Sequence, residues 1–453
     1  MSKLSQYSLS TLLILVVGFA VSLTNFENQD LGIFENTLDI GDVKYEGRVS
    51  YDPDTGEYTL TGSGANMWFD QDQFRYLWAP VQGDFILRAE VEFLGEGVDP
   101  HRKIGWTVRN TLSSNSAMVN AAVHGDGLTS LQYRKTAGAE TLESVSSDSL
   151  PDIVELSRIG DKFIMKTAKK GEPFTVVEIT DVELRNEIFA GIYICSHNED
   201  VVETAVFKNV RITKPAPEDL VPYQQYLGSR LEVLDIETGI QKVLHRSEHS
   251  IQAPNWTVDG ERLIFNSNGY LYNYWLKDGK ITLLNTGFAT SNNNDHVLSF
   301  DGTKIAISHH NQQDNGNSTI YMLPVDGSDN PKQVTQSGLG ASYLHGISPD
   351  NQTVIFTGNR NGKYDIYAAD VNTMEETQLT DTPGLDDGSE YSPDGKYIYF
   401  NSNRTGTMQI WRMEADGSNP TQLTFDENFN DWFPHISPDG KKMVFISYGT
   451  DVE

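Results

Sequence analysis

The sequence predicts an all-β chain of two modules, an antiparallel sandwich followed by a propeller of repeated four-stranded blades. Three observations predict it. A turn-and-strand unit recurs through the second half, as in "YSPDGKYIYFNSNRTGTMQIWRM" (391–413), "ISPDNQTVIFTGN" from Ile347 and "ISPDGKKMVFISYG" from Ile436. Segments of the first half alternate apolar and polar residues at the two-residue period of a strand with one wet face. Composition agrees: 38 Gly with abundant Asn and Asp supply tight turns, and 20 Tyr, 20 Phe and 7 Trp supply cores in a chain of 453 residues. A chain of that length is expected to hold two or three domains.

The first residues differ from all that follows. Lys3 is the one charge before "TLLILVVGFAVSL" (Thr11–Leu23), an apolar run of signal-peptide length. Small residues at Gly18 and Ala20, or at Ala20 and Ser22, offer cleavage positions. A secretory signal over residues 1–23 is the expectation, with an uncleaved anchor as the alternative, since a spanning helix needs about 20 apolar residues. Cys195 is the lone cysteine, so no intrachain disulfide forms, and its alternating context "GIYICSH" points to a core position. The consistent reading is an extracytoplasmic protein, periplasmic or secreted and bacterial. The formal charge of −29 repels phosphate backbones and anionic bilayers, so neither nucleic acid nor membrane insertion after signal removal is expected.

Residues 33–212 form the first module. "RVSYDPDTGEYTLTGSG" sets a Pro-Asp-Thr-Gly turn between Tyr51 and Tyr58, a hairpin signal. In "DFILRAEVEFLG", Phe85, Leu87, Ala89, Val91 and Phe93 alternate with the charged Arg88, Glu90 and Glu92. "KIGWTVRN", "IFAGIYICSH" and "TAVFKNVRI" continue the pattern, and many strands separated by turns indicate an antiparallel sandwich. The order of these pieces resembles a family of concanavalin-like jelly rolls of bacterial secreted proteins. That resemblance implies a jelly-roll fold and, through it, exposed aromatic rings that stack on sugars.

"TKPAPEDLVPYQQY" (Thr213–Tyr226) holds three prolines without alternation and reads as a linker. The repeats of residues 227–453 follow. Aligned on the turn aspartate, their anchors are Asp259, Asp301, Asp350, Asp394 and Asp439, which stand 42, 49, 44 and 45 residues apart, the period of a four-stranded blade. A single blade cannot cover its own apolar faces, so repetition builds a ring in which neighbours cover one another. The motif set resembles the TolB-like family, which closes six blades. On that pattern "SRLEVLDIETGIQKVLH" (Ser229–His245) supplies two strands of one blade, four complete units follow, and the last stops after "KKMVFISYGTDVE". The expectation is therefore a six-bladed-type propeller that is truncated, with four full blades flanked by two halves.

Gly-x-Ser-x-Gly, a Walker loop and His-Glu-x-x-His are all lacking in the sequence. The strongest polar constellation precedes the repeated turns, where the innermost strands begin: Asp295, His296, His345, Asp387, Glu390, Asp431 and His435. Such segments converge on a propeller channel, where histidines and carboxylates from several blades can bind a divalent cation or a sugar acid. Alternatively they line a hydrated channel, and His296, His345, Glu390 and His435 are expected at one level around it without a tight metal site. His309 and His310 are adjacent in a strand, face opposite ways and are not expected to chelate together. In the sandwich, "NMWFDQDQFRYLW" crowds aromatics and acids. Trp68, Trp78, Trp106, His101, His124 and Asp126 are glycan-binding candidates, against the alternative that the tryptophans are buried between sheets.

The functional expectation is an exported, non-catalytic binding or scaffold protein, cofactor-free or holding a divalent cation. Its partner is protein or glycan at the cell envelope. The rival is a carbohydrate-active enzyme, lyase or hydrolase, with a metal in the channel. It loosely resembles propeller-based oligogalacturonate lyases.

Overall fold

A computed structural model describes residues 29–221, 224–450 and 452, so the expected export segment at 1–23 lies outside the described residues. The chain divides into two compact units, 1–215 and 216–453.

The first unit is two seven-stranded antiparallel sheets. In spatial order the first runs Asn36–Ile40, Phe74–Gln82, Glu187–Cys195, Lys103–Arg109, Met118–His124, Thr129–Arg134 and Leu142–Val145. The second runs Thr175–Ile179, Lys162–Ala168, Ile153–Ile159, Phe85–Leu94, Asn198–Thr213, Glu57–Gly64 and Arg48–Asp52. One core joins them, with Leu77, Ile104, Trp106, Val108 and Ile192 from the first sheet meeting Leu60, Leu87, Leu156, Met165 and Phe207 from the second. Alternate residues of the first sheet point away from this core, and they too are buried, because residues 65–72 fold over them. Cys195 lies under that cover, as its sequence context suggested.

The second unit is a succession of antiparallel meanders. Four four-stranded sheets start at Gln252–Trp256, Asn292–Leu298, Ser342–Ile347 and Asp386–Tyr391. Two-stranded sheets, Ser229–Leu234 with Gln241–Ser247 and Phe429–Ile436 with Met443–Gly449, precede and follow them. The first strands of successive sheets lie against each other. Apolar clusters sit between sheets: Ala306, Ile320 and Met322 pack on Leu344, Val354 and Phe356, while Ile355 and Ile366 pack on Ile398, Phe400 and Met413. That is the mutual covering for which the repeat exists.

The repeated turn closes on itself. Ser348 Oγ donates to Asp350 Oδ1 at 2.6 Å, and Asp350 Oδ1 accepts from Gln352 N at 3.1 Å. Ser348 Oγ in turn accepts from Thr353 N at 2.9 Å. The hydroxyl-to-aspartate bond recurs at Thr257–Asp259, Ser299–Asp301, Ser392–Asp394 and Ser437–Asp439. Donors arrayed on a carboxylate favour its charged form. Asp394 is accordingly held down at about 2, first by the Ser392 hydroxyl and then by Lys396.

Candidate functional site

The outer face of the first sandwich sheet carries the denser chemistry. Pairing sets Lys103 opposite His124, Thr107 opposite Asn120, and Asn120 opposite Gln132, so these polar residues share one face. Further along, Asp72 enters from the covering loop and meets two arginines. Arg109 Nη1 donates to Asp72 Oδ2 at 2.6 Å, and Arg134 donates to Oδ2 and Oδ1 at 3.0 and 2.8 Å. All three side chains are fully buried. Arg134 Nη2 also donates to Phe69 O at 2.7 Å, which fixes the stretch that carries Trp68.

Between loop and sheet lies a cavity of about 300 Å³, lined by Asn66, Trp68, Phe69, His101, Lys103, His124, Glu143 and His197 among others. Lys103 Nζ stands 3.0 Å from His197 Nδ1. The imidazole of His101 packs edge-on against those of His124 and His197, with centroids 5.7 and 5.5 Å away. Burial, and then the Lys103 ammonium, push the His124 pKa down to about 3. The same two causes lower His197, and burial lowers Lys103. His124 and His197 are thus neutral imidazoles at neutral pH. Asp126 stands at the rim, Oδ2 3.6 Å from His101 Nδ1.

The candidates separate by face. Trp68, His101 and His124 line the cavity, and Asp126 stands beside the two histidines. Trp106 does not: it is 0% exposed in the core between the sheets, because its strand position has inward parity, and it cannot stack on a sugar. Trp78, 9% exposed, is on the outer face but sealed edge-on against Phe189 at 4.7 Å, so it offers no platform either. Sequence reasoning missed Lys103, His197, Glu143 and Asp72. Lys103 and Arg109 alternate with Ile104, Trp106 and Val108 and read as a wet face. Nothing local shows that a distant loop covers them.

In the second unit the predicted polar residues form separate groups. His345 Nε2 lies 2.9 Å from Asp387 Oδ1 as an ion pair, and Thr357 Oγ1 and Gly388 N donate to the same oxygen at 2.6 and 2.8 Å. Burial alone would lower the His345 pKa, but the charges of Asp387 and Asp295 raise it above the ordinary histidine value. Burial opposes ionisation of Asp387 as well, yet the His345 charge and the Thr357 and Gly388 donors leave it depressed. Burial raises Asp295 despite His345, and Asn293 Nδ2 donates to it at 3.0 Å. Glu390 binds His435 Nδ1 at 2.5 Å and accepts from Ile436 N at 3.1 Å. Asp431 accepts from Ser447 at 2.6 Å.

Among the four residues expected at one level, His296 is engaged differently from His345, Glu390 and His435. It is buried between its own sheet and the preceding one, with ring nitrogens 3.0 Å from the carbonyl oxygen of Asn294 and 3.2 Å from that of Ile264 in the preceding sheet. The sheets of His296 and His345 both carry a bulge here but at different positions: His296 is paired with Ile307 beyond its bulge, whereas His345 is the unpaired residue of its own. His309 and His310 diverge as expected, His309 Nδ1 accepting from Ser291 N and His310 Nδ1 meeting Gly316 O.

Successive meanders with adjoining first strands and apolar clusters between sheets define a β-propeller architecture for the second unit. Residues 314–452 match the TolB beta propeller domain model. An uncharacterized protein of Agrobacterium fabrum, Atu1656, is 45% identical over 227 residues, which span 50% of this chain and 75% of that protein. By these sequence matches the chain belongs to the TolB-like β-propeller family. A solved structure from Agrobacterium tumefaciens, described provisionally as TolB, is 45% identical, covers 49% of this chain and 78% of its own, and has a TM-score of 0.46. TolB from Acinetobacter baumannii is 20% identical, covering 48% of this chain and 59% of its own at a TM-score of 0.39. No helix among the described residues is long and apolar enough to cross a membrane.

Proposed function

We propose that the chain is an exported bacterial binding protein whose propeller docks a protein segment while its sandwich takes a glycan. Residues 1–23 act as the export signal, 33–212 are a concanavalin-like jelly roll, 213–226 link, and 227–453 form the TolB-like propeller. One observation carries the propeller half of this reading. The acids and histidines of the innermost strands are engaged in pairs, His345 with Asp387 and Glu390 with His435, instead of aiming free donors at one point. Pairs spread along adjoining strands suit a polar docking surface. The excess of carboxylates among them (Asp295, Asp387, Glu390 and Asp431) suits a segment rich in Lys, Arg or amide donors. In the sandwich, the partly exposed ring of Trp68 beside hydrogen-bonding groups supports a sugar platform.

The test has two arms. Crosslinking in intact cells should trap a partner whose yield falls in Asp387→Asn with Glu390→Gln, and a glycan array should give signals lost in Trp68→Ala. Fractionation of cells expressing the chain with and without residues 1–23 reports export. Release of unsaturated products from polygalacturonate by the purified chain would replace the propeller reading with the lyase.

A further inference from the structure

We infer that His101, His124 and Asp126 form a divalent transition-metal site on the sandwich, with open coordination positions facing the cavity. The reading stands apart from the propeller and from glycan binding, because it concerns the metal alone. One donor atom from each residue lies within 4.8 Å of the others. Tetrahedral bonds of about 2.0–2.1 Å place donors about 3.3 Å apart, so the site needs a modest contraction. Its two outer members can make it, since His101 and Asp126 sit at the rim with about half and a third of their side-chain surface exposed.

Their backbones are already fixed. Gly125 N and Asp126 N donate to the carbonyl oxygens of Arg102 and Pro100 at 2.9 and 2.8 Å, which knits the two loops together. Arg102 is anchored by Glu203 at 2.7 Å and lies over Phe93 at 4.2 Å. Gly125 must stay glycine there, because a Cβ would stand 2.7 Å from Arg102 Cγ.

The independent sign of a ligand is the third member. His124 is 3% exposed, and its Nδ1 has no hydrogen-bond partner among the described residues, although the ring borders the cavity. Its other nitrogen, Nε2, contacts Gln132 Nε2 at 3.2 Å, while Gln132 Oε1 is itself buried without a partner. Turning that carboxamide over seats Oε1 against His124 Nε2 and the Ser130 hydroxyl, 3.2 Å from each, and moves the unpartnered place to the amide nitrogen. Oε1 then accepts from Nε2–H and leaves the Nδ1 lone pair for a metal, the outer-shell arrangement that orients ligating histidines. Two imidazoles and one carboxylate suit first-row ions of the zinc class. Outside the trio, Lys103 and His197 bear on His124, and Asp99 and Glu143 bear on Lys103. Lys103 opposes a cation, but its ammonium is turned to His197.

The experiment titrates the full chain, stripped with chelator, with ZnCl₂ by calorimetry and with CoCl₂ by visible absorption. The expected result is one ion per chain and a cobalt spectrum of low coordination number. Affinity should fall at least about tenfold in His101→Ala and in Asp126→Asn, and further in His124→Ala. His101→Ala decides the matter, because a rim residue can be removed without unfolding the sheet. Unchanged stoichiometry and affinity in that variant would mean adventitious binding elsewhere and would overturn the site. So would an absence of zinc binding, or a cavity that instead takes galacturonate in a Lys103-dependent, metal-independent way.

Discussion

Replacing Asp72 with alanine tests how the sandwich holds its ligand face. Asp72 is the shared carboxylate of two fully buried guanidiniums and receives three hydrogen bonds from them. Charge-assisted bonds contribute about 1.5–3 kcal/mol each, so their sum is an upper bound on the loss. Some is recovered, because Arg109 also donates to Ser113 O at 2.8 Å and Arg134 to Ser116 O at 3.0 Å and Ala139 O at 3.0 Å. Two unpaired cations remain buried, and removing one partner of such a group costs about 3–5 kcal/mol. That is a large share of the about 5–15 kcal/mol typical of a domain. Native-state hydrogen exchange read on Met118–His124 and Thr129–Arg134 reports the sandwich alone. Asp72→Ala should lower its opening free energy by about 3–5 kcal/mol, and Asp72→Asn by less, since one polar partner is kept. Faster exchange should also appear over residues 65–72, and Trp68 should become more accessible to quencher. A loss under about 1 kcal/mol with an undisturbed loop would refute the view that this triad staples the cavity roof.

Three further outcomes follow. Trp106→Ala should cost about 3–5 kcal/mol by leaving a cavity between the sheets, whereas Trp68→Ala should leave the melting temperature nearly unchanged; equal losses would contradict the assignment of the two rings to different faces. Ser348→Ala breaks one repeated turn and should cost about 1 kcal/mol by denaturant titration, with no change if the turn is held by its backbone alone. The His345–Asp387 pair contributes fully between the ordinary carboxylate and histidine values, 3.8 and 6.5. As pH rises through the raised His345 value its contribution is lost, and as pH falls through the depressed Asp387 value that contribution is lost too. Asp295 acts in the opposite sense, its ionisation costing stability above 3.8, and His310 also faces it. Asp387→Asn should therefore lower the NMR titration midpoint of His345; an identical midpoint would dissolve the pair.

Much of the fold was legible because its signals are short. The repeated turn, as at Ser348-Pro349-Asp350-Asn351, is closed by bonds among residues no more than five apart, so a local motif specifies a local structure. Strand parity in "DFILRAEVEFLG" likewise needs only the period of two, and Phe85, Leu87 and Ala89 are indeed buried while Arg88 is exposed. The same parity rule also accounts for Trp106 in the core.

The site was legible only in part. Trp68, His124 and Asp126 were singled out from the sequence, yet the residue that faces His197 is Lys103, 94 positions earlier. His296 looked equivalent to His345 by its offset from the turn, but the bulges of the two sheets fall differently, leaving His345 unpaired and His296 paired with Ile307 and bonded to the preceding sheet. The sequence by itself determined strands, turns and repeat, because these rest on hydrogen bonds and side-chain alternation between near neighbours. Only the tertiary structure decided which polar face became a cavity. That depends on a loop, residues 65–72, closing over a sheet through Asp72 and two arginines from other strands, and on strand register, which brings together side chains that no local pattern relates.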